Sequence, residues 1–424
     1  MPATPARYNS ARHRQSIFTM NAPFVPSLFT AVELAPRDPI IGVTETFNAD
    51  PNPRKVNLGV GVYCDENGKV PLLECVKRAE REITEKGAPH PYLPIDGIAA
   101  YDKAVQMLLF GASSPVVTNG IAVTVQALGG TGGLKVGTDF LRRLAPGAQV
   151  WISEPSWENH RALFEGAGFT VNSYRYYDAA THGLDFAGMI ADLDRLPAGT
   201  IVVLHACCHN PTGVDPTAAH WVRIIEVVRA RGLVPFLDIA YQGFADGVEE
   251  DGAVVRDFAA TPGPLLVSSS FSKSFSLYGE RIGALSIVTA SKDEAARVLS
   301  QVKRVIRANY SNPPTYGGQI ISTVLSHPEL RAMWDAELGA MRERIRALRQ
   351  MFVDKLRARA PAADFGFVLT QRGMFSYSGL TKEAMQRLRN EYSIYGLDTG
   401  RICLAALNAR NIDSVADAIA NVIA

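Results

Sequence analysis

The stretch Pro264-Leu265-Leu266-Val267-Ser268-Ser269-Ser270-Phe271-Ser272-Lys273-Ser274 runs from an apolar segment into a serine-rich turn, and Lys273 is the only charged side chain between Asp257 and Glu280. A short Leu/Val run bounded by turn residues reads as a strand covered on both faces. A lysine that far from compensating charge either snorkels to solvent or sits where burial lowers its pKa and leaves a nucleophilic amine. Amines of the second kind form Schiff bases. The rest of the chain decides between the two.

Outward from this stretch, short apolar runs at 121–127, 149–153, 200–205, 233–238, 265–269 and 284–288 have the same character. Helical patterns such as 217–231 lie between them, so the expected fold class is α/β, built of βα units around a mostly parallel sheet. From Leu330, the positions Trp334, Leu338, Met341, Ile345, Leu348, Phe352 and Leu356 recur three or four apart. That spacing predicts one long amphipathic helix, and about thirty residues at 1.5 Å each span ~45 Å, enough to bridge two domains. A coiled-coil seam is the competing reading, against which the stripe is single and short. After this helix the pattern becomes smaller and mixed. The expected organisation is a tail and arm over 1–36, a large domain over 71–340, and a smaller α+β domain from 37–70 and 341–424.

With 424 residues, 47% of them hydrophobic and 20% charged, the chain has the composition of a soluble globular protein. A formal net charge of +1 provides no electrostatic case for nucleic acid or a membrane surface as partner. No apolar stretch reaches bilayer length. Cys64, Cys75, Cys207, Cys208 and Cys403 are few, odd in number and scattered, which points to a reducing compartment and a cytoplasmic location. Cys207-Cys208-His209 lacks metal-ligand spacing and reads as strand-end packing, so no metal is expected. The first twenty residues contain Arg7, Arg12 and Arg14 and no acid. They read as a tail preceding a start at Met20, with a mitochondrial transit peptide as the alternative.

Gly129-Gly130-Thr131-Gly132-Gly133 follows the first strand and opens a helix expected near Leu134, where free N–H groups face an anion. A plain turn is the other reading. A dinucleotide loop fails on spacing, because Lys135 stands where the third glycine belongs, although Glu154 sits where a ribose-binding acid would. His209-Asn210-Pro211-Thr212-Gly213 follows the 200–205 strand and also reads as a turn. Asp238 closes the 233–238 strand with Tyr241 three residues on, and a buried carboxylate there needs a cation, a donor or a helix to cap. The glycine run, Asn210, Asp238 and Lys273 thus fall at the carboxyl ends of four strands, where open α/β sheets bind ligands. An amine, a carboxylate, a phenol, an amide and a phosphate cradle together suit pyridoxal 5'-phosphate.

The chain resembles the class I aminotransferases of the aspartate and aromatic-amino-acid group, from about residue 24 to the C-terminus. The motifs carrying the resemblance are Leu58-Gly59-Val60-Gly61-Val62-Tyr63, Tyr92-Leu93 with Ile95-Asp96-Gly97, Pro155-Ser156-Trp157, His209 to Gly213, and Asp238-Ile239-Ala240-Tyr241. Ser270 to Lys273, Arg307 with Tyr310-Ser311-Asn312-Pro313-Pro314, and Gly400-Arg401 complete the series. The resemblance implies pyridoxal-phosphate fold type I. It makes Lys273 the lysine that joins the cofactor aldehyde and moves the proton, and Asp238 the partner of the ring nitrogen. Tyr241 and Asn210 would hold the phenolic oxygen, Trp157 would stack on the ring, and His160 would stand behind Asp238. Gly130, Thr131, Ser270 and Arg281 would bind the phosphate, joined by Tyr92 of a second subunit, so a homodimer with shared sites is implied.

The resemblance further implies that Arg401, with Asn210 and the backbone of Gly61, binds the substrate α-carboxylate as a fork. Arg307, expected from the partner subunit, would take a second carboxylate, and Phe375 would line the pocket. The implied reaction moves the amino group of an aromatic or acidic amino acid (tyrosine, phenylalanine, aspartate) to 2-oxoglutarate by ping-pong kinetics. Cys64, Pro91 and Val70 stand where lysine, asparagine and threonine are common in the aspartate enzymes, and all three make the surroundings less polar. They favour a broad, aromatic-accepting enzyme over a strict aspartate aminotransferase. A lyase or decarboxylase of the same fold is a more remote alternative. A dehydrogenase would leave Lys273 unexplained, and the region before residue 37 is too short for a DNA-binding module.

Overall fold

The computed structural model describes residues 27–35, 38, 40–89 and 91–423. The arginine-rich segment read as a tail, with Met20, lies outside the described residues. The chain divides into a unit ending at Asp38 and a unit from Pro39 onward. In the first, a short 3-10 helix over Leu28–Ala31 starts at Ser27, whose Oγ accepts from the Phe29 N–H at 3.2 Å. The second unit holds all elements below.

Its centre is a seven-stranded sheet: β1 (Ala122–Leu128), β2 (Gln149–Glu154), β3 (Thr170–Arg175), β4 (Ile201–His205), β5 (Val234–Ile239), β6 (Leu265–Ser270) and β7 (Ile282–Val288). The strand order is β1-β7-β6-β5-β4-β2-β3, and only β7 runs antiparallel to its neighbours. The near-continuous apolar runs follow from two-sided burial. Ile201 and Val203 enter one apolar cluster while Val202 and Leu204 enter another on the opposite face, as the two-residue period of a strand requires. Helices α1 (Gly129–Leu144), α2 (Glu158–Gly166) and α3 (Lys292–Asn309) supply Leu134, Phe164 and Ile306 to the first of these clusters. On the other face, Trp221, Ile224 and Phe258 pack with Tyr101 and Leu109.

Six of the seven strands match the apolar runs. The exception is β3, where Thr170-Val171-Asn172-Ser173-Tyr174-Arg175 lies at the sheet edge with β2 as its one neighbour. An edge strand needs no unbroken apolar run, so its signal is weak. The helix expected near Leu134 begins at Gly129 instead, and the glycines form its first turn.

The predicted long helix spans Pro328–Arg359 as α4, 32 residues with proline in its first turn, where the missing N–H costs nothing. Its stripe serves two cores. Leu330, Trp334, Leu338, Met341 and Ile345 join the sheet-side cluster, whereas Leu348, Phe352, Val353 and Leu356 join a separate cluster with Val56, Leu58, Leu388, Ile402, Val415 and Ile419. Around that second cluster, Val56–Asn57 pairs with Ile394–Tyr395, and Phe375–Tyr377 pairs antiparallel with Arg401–Cys403. Among the described residues, no helix is long and apolar enough to cross a membrane.

Candidate active site

The carboxyl ends of β1, β2, β4, β5 and β6 open on one edge of the sheet. Because β7 is antiparallel, its first residue Ile282 pairs with Leu128, so Arg281 arrives at that same edge beside the glycine turn. Gly129 has φ +69°, and a Cβ there would lie 2.5 Å from Arg281 Nη2. A side chain would fill the space that the Arg281 guanidinium occupies. Ser268 Oγ donates to the Gly130 carbonyl at 2.8 Å and ties this first turn of α1 to β6.

One cleft at this edge is lined by Gly61, Gly130, Thr131, Trp157, Asn210, Asp238, Tyr241, Ser270, Lys273, Arg281, Phe375 and Arg401. These are twelve of the fifteen residues given a role from the sequence, and a thirteenth, His160, lies directly behind Asp238. The other two stand apart from it: Tyr92 is 94% exposed, and Arg307 is exposed on α3, where it donates to Ser311 Oγ. Ile40, His205, Ala240, Ser272 and Tyr278 also line the cleft and were not singled out. His205 ends β4 and pairs with Asp238 one residue before the end of β5, so a polar residue at the end of an apolar strand was a readable signal. Tyr278 had no such signal, since its phenolic oxygen accepts from the Tyr63 N–H at 2.9 Å across 215 positions of sequence.

Asp238 is buried, with Oδ2 2.9 Å from His160 Nε2, and Ser156 Oγ is 3.0 Å from the other ring nitrogen of that histidine. Burial pushes the Asp238 carboxyl up, but the His160 hydrogen bond, with electrostatic help from His160 and Lys273, outweighs it and holds the carboxyl below its usual value. His205 packs 4.8 Å from the His160 ring, and its Nε2 is buried without a hydrogen-bond partner among the described residues. Burial keeps it well below the usual histidine range, hence neutral.

Lys273 is partly accessible because it faces the cleft, with its Nζ 4.9 Å from the Tyr241 ring centroid. Among the described residues, Nζ has neither a hydrogen bond nor an ion pair. Burial of the amine lowers its pKa to about 8; Asp238 opposes that change and Arg281 adds to it. Of the two readings open at the start, the buried nucleophilic amine is the one the surroundings support. Burial pushes the Tyr241 phenol well up, so it is a hydrogen-bond donor at neutral pH.

Facing this group is Arg401, only 1% exposed. Its Nη1 donates to Asn210 Oδ1 at 3.0 Å and its Nη2 to the Gly59 carbonyl at 2.7 Å, while Nε is buried without a partner among the described residues. The guanidinium lies 4.2 Å from the Phe375 ring centroid. Trp157 meets the His160 ring edge-on at 5.3 Å. Such a cleft can present an amine of lowered basicity, a fixed carboxylate and a guanidinium fork to one small ligand. The free cysteines do not line it: Cys75, Cys208 and Cys403 are buried and burial raises their thiols, while the buried Cys207 thiol is raised first by its hydrogen bond with Cys208 and then by burial.

The sequence signature of the family described as "Aminotransferase class I and II" matches residues 53–419. An aspartate aminotransferase of Pseudomonas aeruginosa is 62% identical over 94% of this chain and all of its own length. An aromatic-amino-acid aminotransferase of Escherichia coli is 48% identical over 93% of this chain and all of its own. A crystal structure of an aromatic-amino-acid aminotransferase from Burkholderia pseudomallei, covalently bound to pyridoxal phosphate, superposes with a TM-score of 0.92 at 65% identity, covering 94% of this chain and 100% of that one. The sheet, the cleft at its carboxyl edge and these relatives agree, and the chain belongs to the class I and II aminotransferases.

Proposed function

We propose that this enzyme moves the amino group of an aromatic or acidic amino acid, tyrosine, phenylalanine or aspartate, to 2-oxoglutarate. The observation that carries the reading is the Lys273 amine, without a hydrogen bond or ion pair among the described residues, in the same cleft as the buried Asp238–His160 pair and an almost fully buried Arg401. The residues present fit pyridoxal 5'-phosphate. Lys273 offers an amine to its aldehyde and Asp238 a carboxylate to its ring nitrogen. Tyr241 and Asn210 offer hydrogen bonds to the phenolic oxygen, and Trp157 a flat face to the ring. Gly130, Thr131, Ser270 and Arg281 form the cradle at the start of α1 for its phosphate. When bound, this cofactor supplies the electron sink that makes the Cα–H bond of an amino acid acidic.

The chain's own residues do the rest. Asp238, held ionised by His160, keeps positive charge on the group facing it. Lys273, with its pKa near neutrality, is matched to taking a proton at substrate Cα and returning it. Arg401, helped by Asn210 and the Gly61 backbone, binds the α-carboxylate and fixes the substrate against the cleft. Its Nε, without a partner among the described residues, is a donor available to that carboxylate. Phe375 closes the cleft over Gly61, where a Cβ would lie 2.6 Å from its ring.

Tyr92 and Arg307 belong to the same reading through a homodimer. Both are exposed and away from the cleft of their own chain, as residues serving a neighbour's cleft would be. Arg307 of one protomer then takes the side-chain carboxylate of aspartate or 2-oxoglutarate bound in the other. The division into a large domain over 71–340 and a small one from 37–70 and 341–424 is part of this proposal, as is a cytoplasmic location, which free cysteines suit. Strict aspartate specificity is the second reading, favoured by the name of the Pseudomonas relative. Measuring kcat/KM for aspartate, tyrosine and phenylalanine with 2-oxoglutarate as acceptor separates them. Aromatic donors within about tenfold of aspartate support the broad enzyme; a deficit of about a thousandfold or more leaves the strict one.

A further inference from the structure

Helix α4 carries a buried arginine outside the cleft. Arg349 is 3% exposed and sits where the helix stripe passes from one apolar cluster (Ile345) to the other (Leu348). Its Nη1 donates to the Val368 carbonyl at 3.0 Å, and its Nη2 donates to the carbonyls of Gly373 at 2.8 Å and Phe375 at 2.5 Å. Among the described residues it has no carboxylate partner. A buried guanidinium without a counter-ion is costly, and three carbonyl acceptors are its compensation. Burial lowers its pKa to about 10, so it remains charged at neutral pH.

The carbonyls it holds belong to a segment with little freedom. Gly373 has φ +75°, and a Cβ there would fall 2.5 Å from the Cys208 Cβ. The Arg372 N–H donates to the Gly213 carbonyl at 2.6 Å, and a Cβ on Gly213 would lie 2.9 Å from the Phe375 carbonyl oxygen. This segment therefore lies directly on the turn that carries Asn210. Phe375 faces two ways: its carbonyl rests on Arg349, and its ring touches the Arg401 guanidinium, packs 5.8 Å from the Tyr241 ring and closes against Gly61.

We propose that Arg349 is a positioning residue for the α-carboxylate end of the cleft, because its grip on the Gly373 and Phe375 carbonyls sets the Phe375 ring against the Arg401 fork. The inference rests on the amino-transfer reading above. A lysine at this position carries one compact ammonium in place of the planar fork and cannot hold three carbonyls in the same geometry.

The test compares Arg349→Lys and Arg349→Met with the wild-type chain, each loaded with pyridoxal phosphate. Four quantities are measured: KM for aspartate and tyrosine, kcat, cofactor affinity, and the Kd of 3-phenylpropionate, which has the carboxylate but no amine. In Arg349→Met the KM values and that Kd rise together by about tenfold or more, while kcat and cofactor affinity change by less than about threefold. Arg349→Lys restores part of the loss. A fall in melting temperature or cofactor affinity with unchanged KM and Kd overturns the proposal, as does failure of both variants to fold, since either outcome assigns Arg349 to the scaffold alone. The wild-type control keeps the two readings separate. Absence of amino transfer there removes the functional reading, whereas the 3-phenylpropionate Kd still reports on Arg349.

Discussion

His160 Nε2 and Asp238 Oδ2 stand 2.9 Å apart in a buried pair, although 78 positions of sequence separate the residues. Ser156 holds the far side of the imidazole, so the carboxylate is oriented by a chain of two hydrogen bonds. An ionised carboxylate fixed this way acts electrostatically without having to reorganise during reaction.

Asp238→Ala removes that charge while leaving the phosphate cradle and Lys273 in place. Turnover is expected to fall by about 10²–10³ or more, and cofactor retention by much less. Steady-state kinetics beside equilibrium dialysis of the cofactor checks this. Loss of the cofactor with normal turnover in the fraction that keeps it would reassign Asp238 to anchoring.

Lys273→Ala abolishes turnover and covalent attachment. Borohydride treatment of the loaded wild-type chain, followed by mass spectrometry, should place the cofactor mass on the peptide containing Lys273. Attachment at another lysine, or an active alanine variant, would end the assignment.

The Lys273 amine, lowered to about 8, loses its proton far earlier than an ordinary lysine near 10.4. In the cofactor-free chain, its reaction with an amine-directed aldehyde reagent should increase as pH rises through about 8 and level off above about 9. Surface lysines keep gaining reactivity to higher pH. Because the folded pKa is lowered, the charged amine opposes folding at low pH and the associated stability is gained as pH rises from about 8 toward about 10. Peptide-resolved labelling between about pH 6 and 10 measures the reactivity. A Lys273 profile identical to that of the exposed lysines would contradict the burial argument.

Arg307→Leu and Arg401→Leu should differ in kind. The first removes a charge-assisted contact to dicarboxylates only, lowering kcat/KM for aspartate by about 1.5–3 kcal/mol while sparing phenylalanine. The second removes the contact common to every amino acid and lowers both. Equal penalties from Arg307→Leu on the two donors would remove it from the substrate site.

Gly129→Ala tests the cradle. Gly129 has a positive φ and a Cβ at that position would come within 2.5 Å of Arg281 Nη2, so alanine must displace the guanidinium. Cofactor affinity should weaken with a stability loss of about 1 kcal/mol or more from the backbone alone. Calorimetric titration with pyridoxal phosphate reads the first and thermal denaturation the second; unchanged affinity would mean Arg281 does not serve the phosphate.

Six strands and the long helix were legible because each leaves a local pattern: a run of Val, Ile and Leu where both faces are covered, or a stripe every third or fourth residue. Edge strand β3 was not, since its partial burial at the sheet edge imposes no unbroken run. Lys273, Asp238 and the 209–213 turn could be placed at one edge by their position at or just after strand ends. Tyr278 and Arg349 could not be connected to the site, because their hydrogen-bond partners lie far away in sequence and a hydrogen bond across the fold leaves no periodic trace.

The amino-acid sequence by itself determined the alternation of strand and helix and the polar residues that end the strands, because burial and chain geometry act over a few neighbouring residues. Tertiary structure alone decided the pairing of His160 with Asp238, the seating of Arg401 between Gly59 and Asn210, and the hold of Arg349 on the Phe375 carbonyl. Those depend on how elements pack in three dimensions, where a few ångströms settle which charge meets which acceptor.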